Sequence, residues 1–398
     1  MNLLQINTTD KRGGAAQIAW DLKEELIKRG SISSMFVADK LTNDNNVISI
    51  KRSDTRKALS IIFSCDFYNS KSILKTQEFK DSDVVHCHNL HGRYFNLNDL
   101  IAICVKKPIV WTLHDEWAIT PHSVYTLQNE KMIDGFFQCD DKNMPERFLF
   151  NLEKKQRAIK RNIYNSCNLN VVTPCLWLKK RVERSFLGNK NVRVIYNGIN
   201  TENFCILDKM AARVSLGLPL DKKIVLILSD GGKDAPRWKG WEYARKVIDY
   251  FKKDPLLLFV CVGNKEIYSN ESNLKYFGLI KHEELSKYYS ASDIYLHTSL
   301  ADNFPLVILE AMACGLPIVS FDVGGVKEVA EHLINGYIAE YKNEFELIKG
   351  INYIKDMNSN KISIISYVSS KKVRDEFNLS KMIDQYEKLY QELSRNNK

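Results

Sequence analysis

Paired cysteines are missing from this chain, although it contains nine cysteines among 398 residues. No two of them have the Cys-x-x-Cys spacing, which argues against a disulfide framework and against a cysteine zinc site. Long apolar runs are missing as well, because stretches such as residues 256–262 are far too short to cross a bilayer. No basic and apolar leader stands at the N-terminus. These absences favour a protein of the reducing cytoplasm.

Two other protein classes are disfavoured by signals that the chain does not carry. The turn at Gly13 and Gly14 is not followed by the full Gly-x-Gly-x-x-Gly spacing, which argues against an NAD enzyme. The net charge is +9, yet the basic residues are not interleaved with aromatics as in a nucleic-acid-binding module. They concentrate in two predicted helices, at residues 154–161 and 179–184. The basic faces of these helices could bind an anionic membrane surface or a phosphate-bearing acceptor. The alternative is that they are ordinary solvated helix faces.

Apolar strands and amphipathic helices alternate along the chain in two successive series. The composition, 44% apolar and 26% charged, is typical of globular proteins, and the length suffices for two cores. Continuous apolar strands of this kind indicate buried parallel sheets. We therefore predict an α/β fold of two doubly wound, Rossmann-like domains with ligands at the carboxyl ends of the strands. The predicted strands are residues 3–6, 35–38, 84–87, 109–113, 169–172, 192–195, 224–228, 257–262, 294–297 and 318–321.

Residues 302–317 are the most informative segment. Asp302 and Glu310 bracket a turn and the beginning of a predicted helix, with Pro305 in its first turn and Asn303 as its cap. The free N–H groups and the dipole of a helix start favour an anion. One acid could hold sugar hydroxyls and the other a second hydroxyl pair, with a phosphate between them. The segment therefore indicates a nucleotide-sugar site; the alternative is a capped surface helix.

This segment resembles the signature of retaining nucleotide-sugar glycosyltransferases of family four, which have the GT-B fold. The resemblance implies that Asp302, one methylene shorter than the family's usual Glu, contacts the transferred sugar. It also implies that Glu310 binds the ribose hydroxyls. The backbone implied to meet sugar and phosphate is that of Asn303, Phe304, Pro305 and Leu306.

The resemblance also implies a division of labour between the two domains, which face each other across a cleft in this fold. Residues 1–200 would form the acceptor-binding domain and residues 201–377 the donor-binding domain. A C-terminal helix at about residues 378–398 would return to the first domain.

Two basic residues follow the first strand of the second predicted sheet. Lys239, just before Gly240 and a helix, matches the family's diphosphate-binding lysine. A fixed cation aimed at a departing diphosphate stabilises the transition state more than the ground state. The family's usual arginine lies five residues earlier, where this chain has Asp234, so Arg237 is the candidate for that role. The alternative is a solvated polar loop.

Loops at the strand ends of the first predicted sheet complete the candidate site. Glycines such as Gly13 and Gly14 allow close backbone approach to a ligand, and the resemblance places this loop beside the donor phosphate. His114 and Asp115 end another strand, where they can contact a sugar hydroxyl, orient the acceptor or share a proton. His88 follows the preceding strand in a comparable place.

A metal site is the alternative interpretation of two segments. His86, His88 and His91 lie close in sequence, but the sequence implies no acidic or cysteine partner, and hydrogen-bonded histidines are the commoner outcome. Residues 81–83 have an Asp-Ser-Asp spacing but precede a strand. Gly263 ends a strand where a nucleobase could pack. We expect no metal and no cofactor, only a nucleoside diphosphate sugar as substrate.

The sequence, together with its resemblance to family four, thus predicts a hexosyltransferase that the resemblance implies to be retaining and that we expect to need no metal. It would move a sugar from a nucleoside diphosphate sugar to a hydroxyl of a sugar or lipid-linked glycan, in surface polysaccharide or glycolipid assembly. The expected location is the cytoplasm, with attachment to the inner face of the plasma membrane as a further option. Two alternatives stay open, a sugar-nucleotide epimerase of the same fold and a non-catalytic nucleotide-sugar-binding protein.

Overall fold

The structure, a computed structural model, describes residues 1–50, 70–141, 144, 152–228, 236–263 and 271–395. The chain divides into two compact units. The first consists of Met1–Asn197 together with Ser380–Lys398, and the second of Gly198–Leu379.

The first unit contains a sheet of parallel strands and a separate antiparallel hairpin. Its strands are β1 Asn2–Thr9, β2 Ile32–Asp39, β3 Val47–Ser49, β4 Val84–Cys87, β5 Ile109–Thr112, β6 Met132–Ile133, β7 Phe136–Phe137, β8 Leu169–Thr173 and β9 Asn191–Val194. The sheet order is β3-β2-β1-β4-β5-β8-β9, and β6 pairs with β7. Its helices are α1 Gly14–Lys28, α2 Gln77–Asp81, α3 Asp99–Cys104, α4 Glu153–Ser166, α5 Leu176–Arg184 and the C-terminal α13 Leu379–Arg395.

The second unit is built on a six-stranded parallel sheet. Its strands are β10 Lys223–Leu228, β11 Leu257–Val262, β12 Leu274–Phe277, β13 Ile294–His297, β14 Ile318–Phe321 and β15 Gly336–Ala339. The sheet order is β12-β11-β10-β13-β14-β15. Its helices are α6 Lys209–Leu216, α7 Trp241–Tyr250, α8 Leu285–Ala291, α9 Leu306–Ala313, α10 Val326–Val329, α11 Glu344–Lys355 and α12 Ser359–Glu376.

The predicted fold of two doubly wound domains is confirmed. Strands β8, β11, β13 and β14 are buried along their whole length. Burial on both faces is what a parallel sheet covered by helices requires. Within the two parallel sheets, three described strands were not predicted, β3, β12 and β15, and each lies at the edge of its sheet; the hairpin strands β6 and β7 were not predicted either.

The C-terminal helix α13 packs into the first unit, as predicted. Tyr386 shares a hydrogen bond of 2.8 Å with the hydroxyl of Thr112, and Tyr390 shares one of 2.7 Å with Nδ1 of His86. At the surface of this unit, Arg29 pairs with two acids of the helix. The buried residues of α13 are Met382, Ile383, Tyr386, Leu389 and Tyr390.

In each sheet the direction of winding reverses beside the first strand of its series. β1 lies between β2 and β4, and β10 lies between β11 and β13. Connections that leave such neighbouring strands run to opposite faces of the sheet. The gap that opens at their carboxyl ends is where open α/β sheets bind ligands. Each unit therefore has one topologically favoured binding position.

The basic residues of α4 and α5 are partly internal, which corrects the expectation of two exposed basic faces. Lys160 is 1% exposed, and its ammonium lies 3.7 Å from the ring centroid of Trp117. Arg181 is buried with Nε 2.6 Å from Glu116, and Arg157 is buried too. These cations anchor the segment that follows β5. The exposed basic residues of the two helices include Lys154, Lys155 and Lys180.

Over the described ranges, no helix combines the length and the apolar composition needed to cross a membrane.

Candidate functional site

A lysine and an acid meet at the favoured binding position of the second sheet. Lys239 ends a short 3-10 helix after β10, and Asp302 follows β13. Lys239 Nζ lies 3.3 Å from Asp302 Oδ2, and their side chains are 39% and 17% exposed. Two residues that lie far apart in the sequence thus share one site, and both keep surface that a ligand can reach.

The turn that carries Lys239 is tied to the segment after β13. Gly240 has a positive φ of 63°, and a Cβ there would lie 1.9 Å from the carbonyl oxygen of Thr298. The Thr298 hydroxyl donates to the Lys239 carbonyl over 3.2 Å, and Leu300 N donates to the Trp238 carbonyl over 2.7 Å. Glycine is required here by both conformation and space. This packing places Lys239 beside Asp302.

The segment after β14 closes the other side of this site. Gly324 has φ 53°, and a Cβ there would lie 1.9 Å from the carbonyl oxygen of Asp302. The N–H of Gly325 donates to the carbonyl of Asn303 over 2.8 Å. Three neighbouring strands, β10, β13 and β14, therefore hold the Asp302–Asn303 backbone in place.

Helix α9 begins later than predicted, because the prediction placed the cap at Asn303 and Pro305 within the first turn. Its first residue is Leu306, and Pro305 takes the cap position with extended backbone. Asn303 therefore does not occupy the cap position that was predicted for it. The first N–H groups of the helix have no intrahelical acceptor, as at any helix start. The predicted preference for an anion therefore remains.

Glu310 lies on α9 with only 2% of its surface exposed. Its Oε1 is 2.7 Å from His282 Nε2, and its Oε2 accepts a 2.8 Å bond from the hydroxyl of Tyr289. Neither partner was predicted, since each sits outside the sequence motif. The two contacts fix the carboxylate in one orientation, and its role as a ribose ligand stays a prediction.

Two polar side chains on β13 were also missed. Tyr295 and His297 alternate along the strand and so share a face. Among the described residues, the Tyr295 hydroxyl and His297 Nε2 are buried without a hydrogen-bond partner. Burial lowers the pKa of His297 to about 4; nearby Asp302 opposes this shift and Lys239 adds to it. A neutral imidazole therefore lies close to the Lys239–Asp302 pair. A polar residue at the end of an apolar strand is the signal that could have revealed it.

The remaining predicted residues of the second unit lie at its strand ends or in its core. Arg237 is exposed at the start of the 3-10 helix, and Asp234 falls outside the described residues. Gly263 follows β11 with φ 121°. Phe304 is buried, with its ring 5.7 Å from that of Phe377. Its side chain is thus structural.

The glycine turn of the first unit follows β1, at the favoured position of that sheet. Gly13 is the cap of α1 with φ 87°, and Gly14 is the first helical residue. A side chain at position 13 would be strained in this conformation. Both glycines are exposed, so their backbone is open to a ligand.

His88, His114 and Asp115 meet at the ends of β4 and β5. His88 Nδ1 lies 2.9 Å from His114 Nε2, and His91 Nε2 lies 2.6 Å from Asp115 Oδ2. Burial lowers the pKa of His114 to about 4, with Asp115 opposing the shift. Burial alone would raise the pKa of Asp115, but His91 and hydrogen bonds bring it below its usual value. The small pocket at this place is lined by His88, Asn89, Leu90, His91, Trp111, Leu113, His114, Asp115, Trp117 and Ala118.

His88, predicted to lie near the sugar or acceptor, has no side-chain atom left open for a direct contact. It is 1% exposed and both of its ring nitrogens bond to protein, to Gln5 and to His114. His86 bonds in the same way to Thr112 and Tyr390. Across the described part of the chain, no three His, Cys, Asp or Glu side chains converge to hold a metal ion.

Comparison with known proteins identifies the family. The family description "Glycosyltransferase Family 4" matches residues 12–203, and "Glycosyl transferases group 1" matches residues 208–371. The chain belongs to the family 4 glycosyltransferases. The two matches together extend over both units.

Two related sequences share about a quarter of the aligned residues with this glycosyltransferase. It is 25% identical over 361 residues to an Escherichia coli (strain K12) protein provisionally named colanic acid biosynthesis glycosyl transferase WcaC, covering 83% of this chain and 85% of the relative. It is 26% identical over 224 residues to N-acetyl-alpha-D-glucosaminyl L-malate synthase of Bacillus anthracis, covering 53% and 56%.

Solved structures match the glycosyltransferase over its whole length. Sucrose-phosphate synthase of Thermosynechococcus elongatus aligns with a TM-score of 0.73 at 17% identity, covering 99% of each chain. HepE of Anabaena, solved with UDP-glucose, aligns with a TM-score of 0.68 at 19% identity, covering 99% and 100%. These likenesses confirm the GT-B fold.

Proposed function

We propose that this glycosyltransferase moves a hexose-like sugar from a nucleoside diphosphate sugar to a hydroxyl acceptor, with retention and without a metal ion. The observation that carries the proposal is the 3.3 Å contact between Lys239 and Asp302. In a sugar diphosphate, the sugar hydroxyls and the charged phosphates flank a single bond. A cation beside an acid matches both sides of that bond.

Lys239 is assigned to the leaving diphosphate. Negative charge grows on the diphosphate as the bond breaks, so a positioned ammonium stabilises the transition state more than the ground state. The N-terminal amides of α9 and the neighbouring Arg237 add to the positive potential on the phosphate side.

Asp302 is assigned to the sugar hydroxyls and Glu310 to the ribose. Since Lys239 compensates the charge of Asp302, this carboxylate is a weak nucleophile and a good hydrogen-bond acceptor. Retention then follows a route without a covalent enzyme intermediate. The bond from the anomeric carbon to the phosphate oxygen breaks, the bond to the acceptor oxygen forms on the same face, and the acceptor proton passes to the phosphate oxygen.

The acceptor and the setting are proposed from the relatives. HepE was solved with UDP-glucose, which supports a nucleotide-sugar donor, and the name of the Escherichia coli relative refers to colanic acid biosynthesis. We propose a sugar or lipid-linked glycan as acceptor, in surface polysaccharide or glycolipid assembly. The exposed Lys154, Lys155 and Lys180 support contact with anionic lipid at the cytoplasmic face of the membrane.

The test starts with a panel of nucleoside diphosphate sugars screened by thermal shift, because a ligand of the folded state raises its apparent stability. Each stabilising donor is then incubated with simple glycosides and with lipid extracts, and the anomeric configuration of the product is read by NMR. Formation of the inverted anomer would contradict retention. Activity lost to a chelator and restored by a metal ion would contradict metal independence.

The same reaction mixtures separate the two alternatives. An epimerase would convert the donor when no acceptor is present, and a binding protein would show a thermal shift without any turnover. Either result would replace the transferase proposal.

A further inference from the structure

Two side chains hold the carboxylate of Glu310, and both come from one short stretch of the second unit. His282 begins a 3-10 helix that runs directly into α8, and Tyr289 lies on α8 itself. Positions 282 and 289 are about two helical turns apart, so their side chains point to the same side. His282 Nε2 lies 2.7 Å from Oε1 of Glu310, and the Tyr289 hydroxyl lies 2.8 Å from Oε2. Each carboxylate oxygen therefore has its own partner.

A buried phenylalanine of the same unit packs against both partners. The ring centroid of Phe204 lies 5.1 Å from that of His282 and 6.1 Å from that of Tyr289. Tyr289 is fully buried, and its hydroxyl also lies 3.3 Å from the backbone carbonyl of Val307 in α9. Close packing of this kind restricts the rotation of the two rings. The protein itself thus sets the orientation of the Glu310 carboxylate.

The directions of the hydrogen bonds at Glu310 follow from its charge. An ionised carboxylate only accepts, so His282 Nε2 and the Tyr289 hydroxyl are the donors. Burial raises the pKa of Tyr289 well above its ordinary value, and the charge of Glu310 adds to the shift, so the phenol keeps its hydrogen. A carboxylate has about four lone-pair positions. Within the part of the chain that the structure describes, the two donors occupy one position on each oxygen. One position on each oxygen remains.

A group that completes this arrangement must donate two hydrogen bonds side by side. Glu310 is 2% exposed, so bulk water solvates the remaining lone pairs poorly, and a poorly solvated charge is costly. A vicinal diol offers two hydroxyl donors on adjacent carbons, whereas an ionised phosphate oxygen offers none. The chemistry of the carboxylate therefore favours the diol of a ribose over any anionic part of a nucleotide.

We propose that His282 and Tyr289 are positioning residues that aim one remaining lone pair of each Glu310 oxygen at the ligand, so that the site distinguishes a ribonucleotide donor from its 2′-deoxy counterpart. The inference rests on the proposed function, which assigns Glu310 to the ribose. A nucleotide that lacks one hydroxyl leaves one oxygen of the buried carboxylate without its second donor, and this lowers affinity. His282 and Tyr289 act through Glu310 and need no contact with the nucleotide.

The first test is calorimetric binding to the full-length protein without turnover. UDP, GDP and ADP are titrated, and the tightest binder is compared with its 2′-deoxy analogue. We expect the ribonucleotide to bind about tenfold to a hundredfold more tightly, since one hydrogen bond to a charged group is lost. Equal affinities would overturn this inference and leave the transferase assignment standing. If none of the three nucleotides bound, the proposed donor class would fail, and this inference with it.

The second test removes the donors one at a time. His282→Leu and Tyr289→Phe should each reduce the ratio of the two affinities to about threefold or less. A merely structural role would instead weaken both nucleotides equally and keep the ratio. His282→Gln offers an amide N–H in place of Nε2 and should retain the discrimination.

The matched control is His332→Leu. His332 belongs to the same unit, and its Nδ1 accepts a 3.0 Å bond from the backbone N–H of Ile338, away from Glu310 in the hydrogen-bond network. Its replacement should leave both affinities unchanged. A wild-type ratio in folded His282→Leu or Tyr289→Phe would refute the positioning role of that residue.

Discussion

Replacing Lys239 with methionine should separate catalysis from stability in this enzyme. The methionine keeps much of the apolar stem and removes the charge that faces Asp302. Loss of one positioned donor to a developing anion costs about 2–4 kcal/mol of transition-state stabilisation, or about a thirtyfold to a thousandfold loss in turnover. The free energy of unfolding should change little. The Lys239–Asp302 pair is separated by 3.3 Å with the lysine side chain 39% exposed, so it contributes at most about 1 kcal/mol.

The assay compares initial transfer rates at saturating donor with the free energy of unfolding in urea. Lys246→Met is the matched control, because Lys246 belongs to the same unit and pairs with Glu344 at 2.9 Å but is 54% exposed on α7. It should retain wild-type turnover. A Lys239→Met enzyme that turns over within about twofold of wild type would refute the leaving-group role. A loss of turnover matched by an equal loss in Lys246→Met would show that charge in general, and not its position, matters.

Two further predictions concern buried groups. Glu310→Gln leaves a side-chain amide between His282 and Tyr289, and its single oxygen cannot replace the two carboxylate oxygens that contact these residues. Nucleotide affinity measured by calorimetry should therefore fall about tenfold or more, while turnover at saturation changes little. A loss confined to turnover would contradict the ribose role. The pKa values of His114 and His297 are about 4 in the folded protein, against about 6.5 when unfolded. The unfolded chain therefore binds protons first on acidification, and the free energy of unfolding should fall from pH 6.5 down to 4 by about 1.4 kcal/mol per pH unit for each histidine. Urea titrations at a series of pH values should show that the free energy of unfolding depends less steeply on pH in His297→Gln. An unchanged pH dependence would contradict the burial of this imidazole.

Interior strands were predictable from the sequence, whereas most edge strands were not. The predicted bounds of β4, β11, β13 and β14 agree with the structure to the residue. These strands are buried on both faces and therefore read as continuous apolar runs. An edge strand such as β12, which contains Lys275, is partly exposed and loses that signal. Exposure thus accounts for the omission of β3 and β12, but it does not explain the omission of β15, which is buried along its whole length.

Site residues were predictable where a local motif carried the chemistry, and unpredictable where a distant segment completed it. Lys239, Asp302 and Glu310 belong to short signatures at strand ends. His282, in contrast, lies 28 residues from the Glu310 that it contacts, and Gln5 lies 83 residues from His88. Spacing in sequence says nothing about such pairs, because the fold alone brings their elements together.

The prediction of two exposed basic helix faces failed for a related reason. The sequence shows that α4 and α5 are basic but does not show where their side chains point. Lys160 donates to two backbone carbonyls in the interior, and Arg181 is enclosed by Glu116 and Glu130. A buried cation needs such partners to offset its desolvation. Acids and carbonyls of the segment after β5 supply them here, so these charges stabilise that segment instead of forming a free basic face.

Two polar side chains of β13 differ in their hydrogen bonding from three polar side chains of the first sheet. In the first unit, Gln5, His86 and His88 all have partners in hydrogen bonds that lock their orientation. In the second unit, the Tyr295 hydroxyl and His297 Nε2 are buried without a partner among the described residues. An unsatisfied buried polar atom costs about 1–3 kcal/mol, so stability alone does not account for these two side chains. Both side chains lie on β13, the strand that leads to Asp302, and Asp302 is proposed to bind the sugar. A fold is expected to tolerate a local loss of stability at such a functional site.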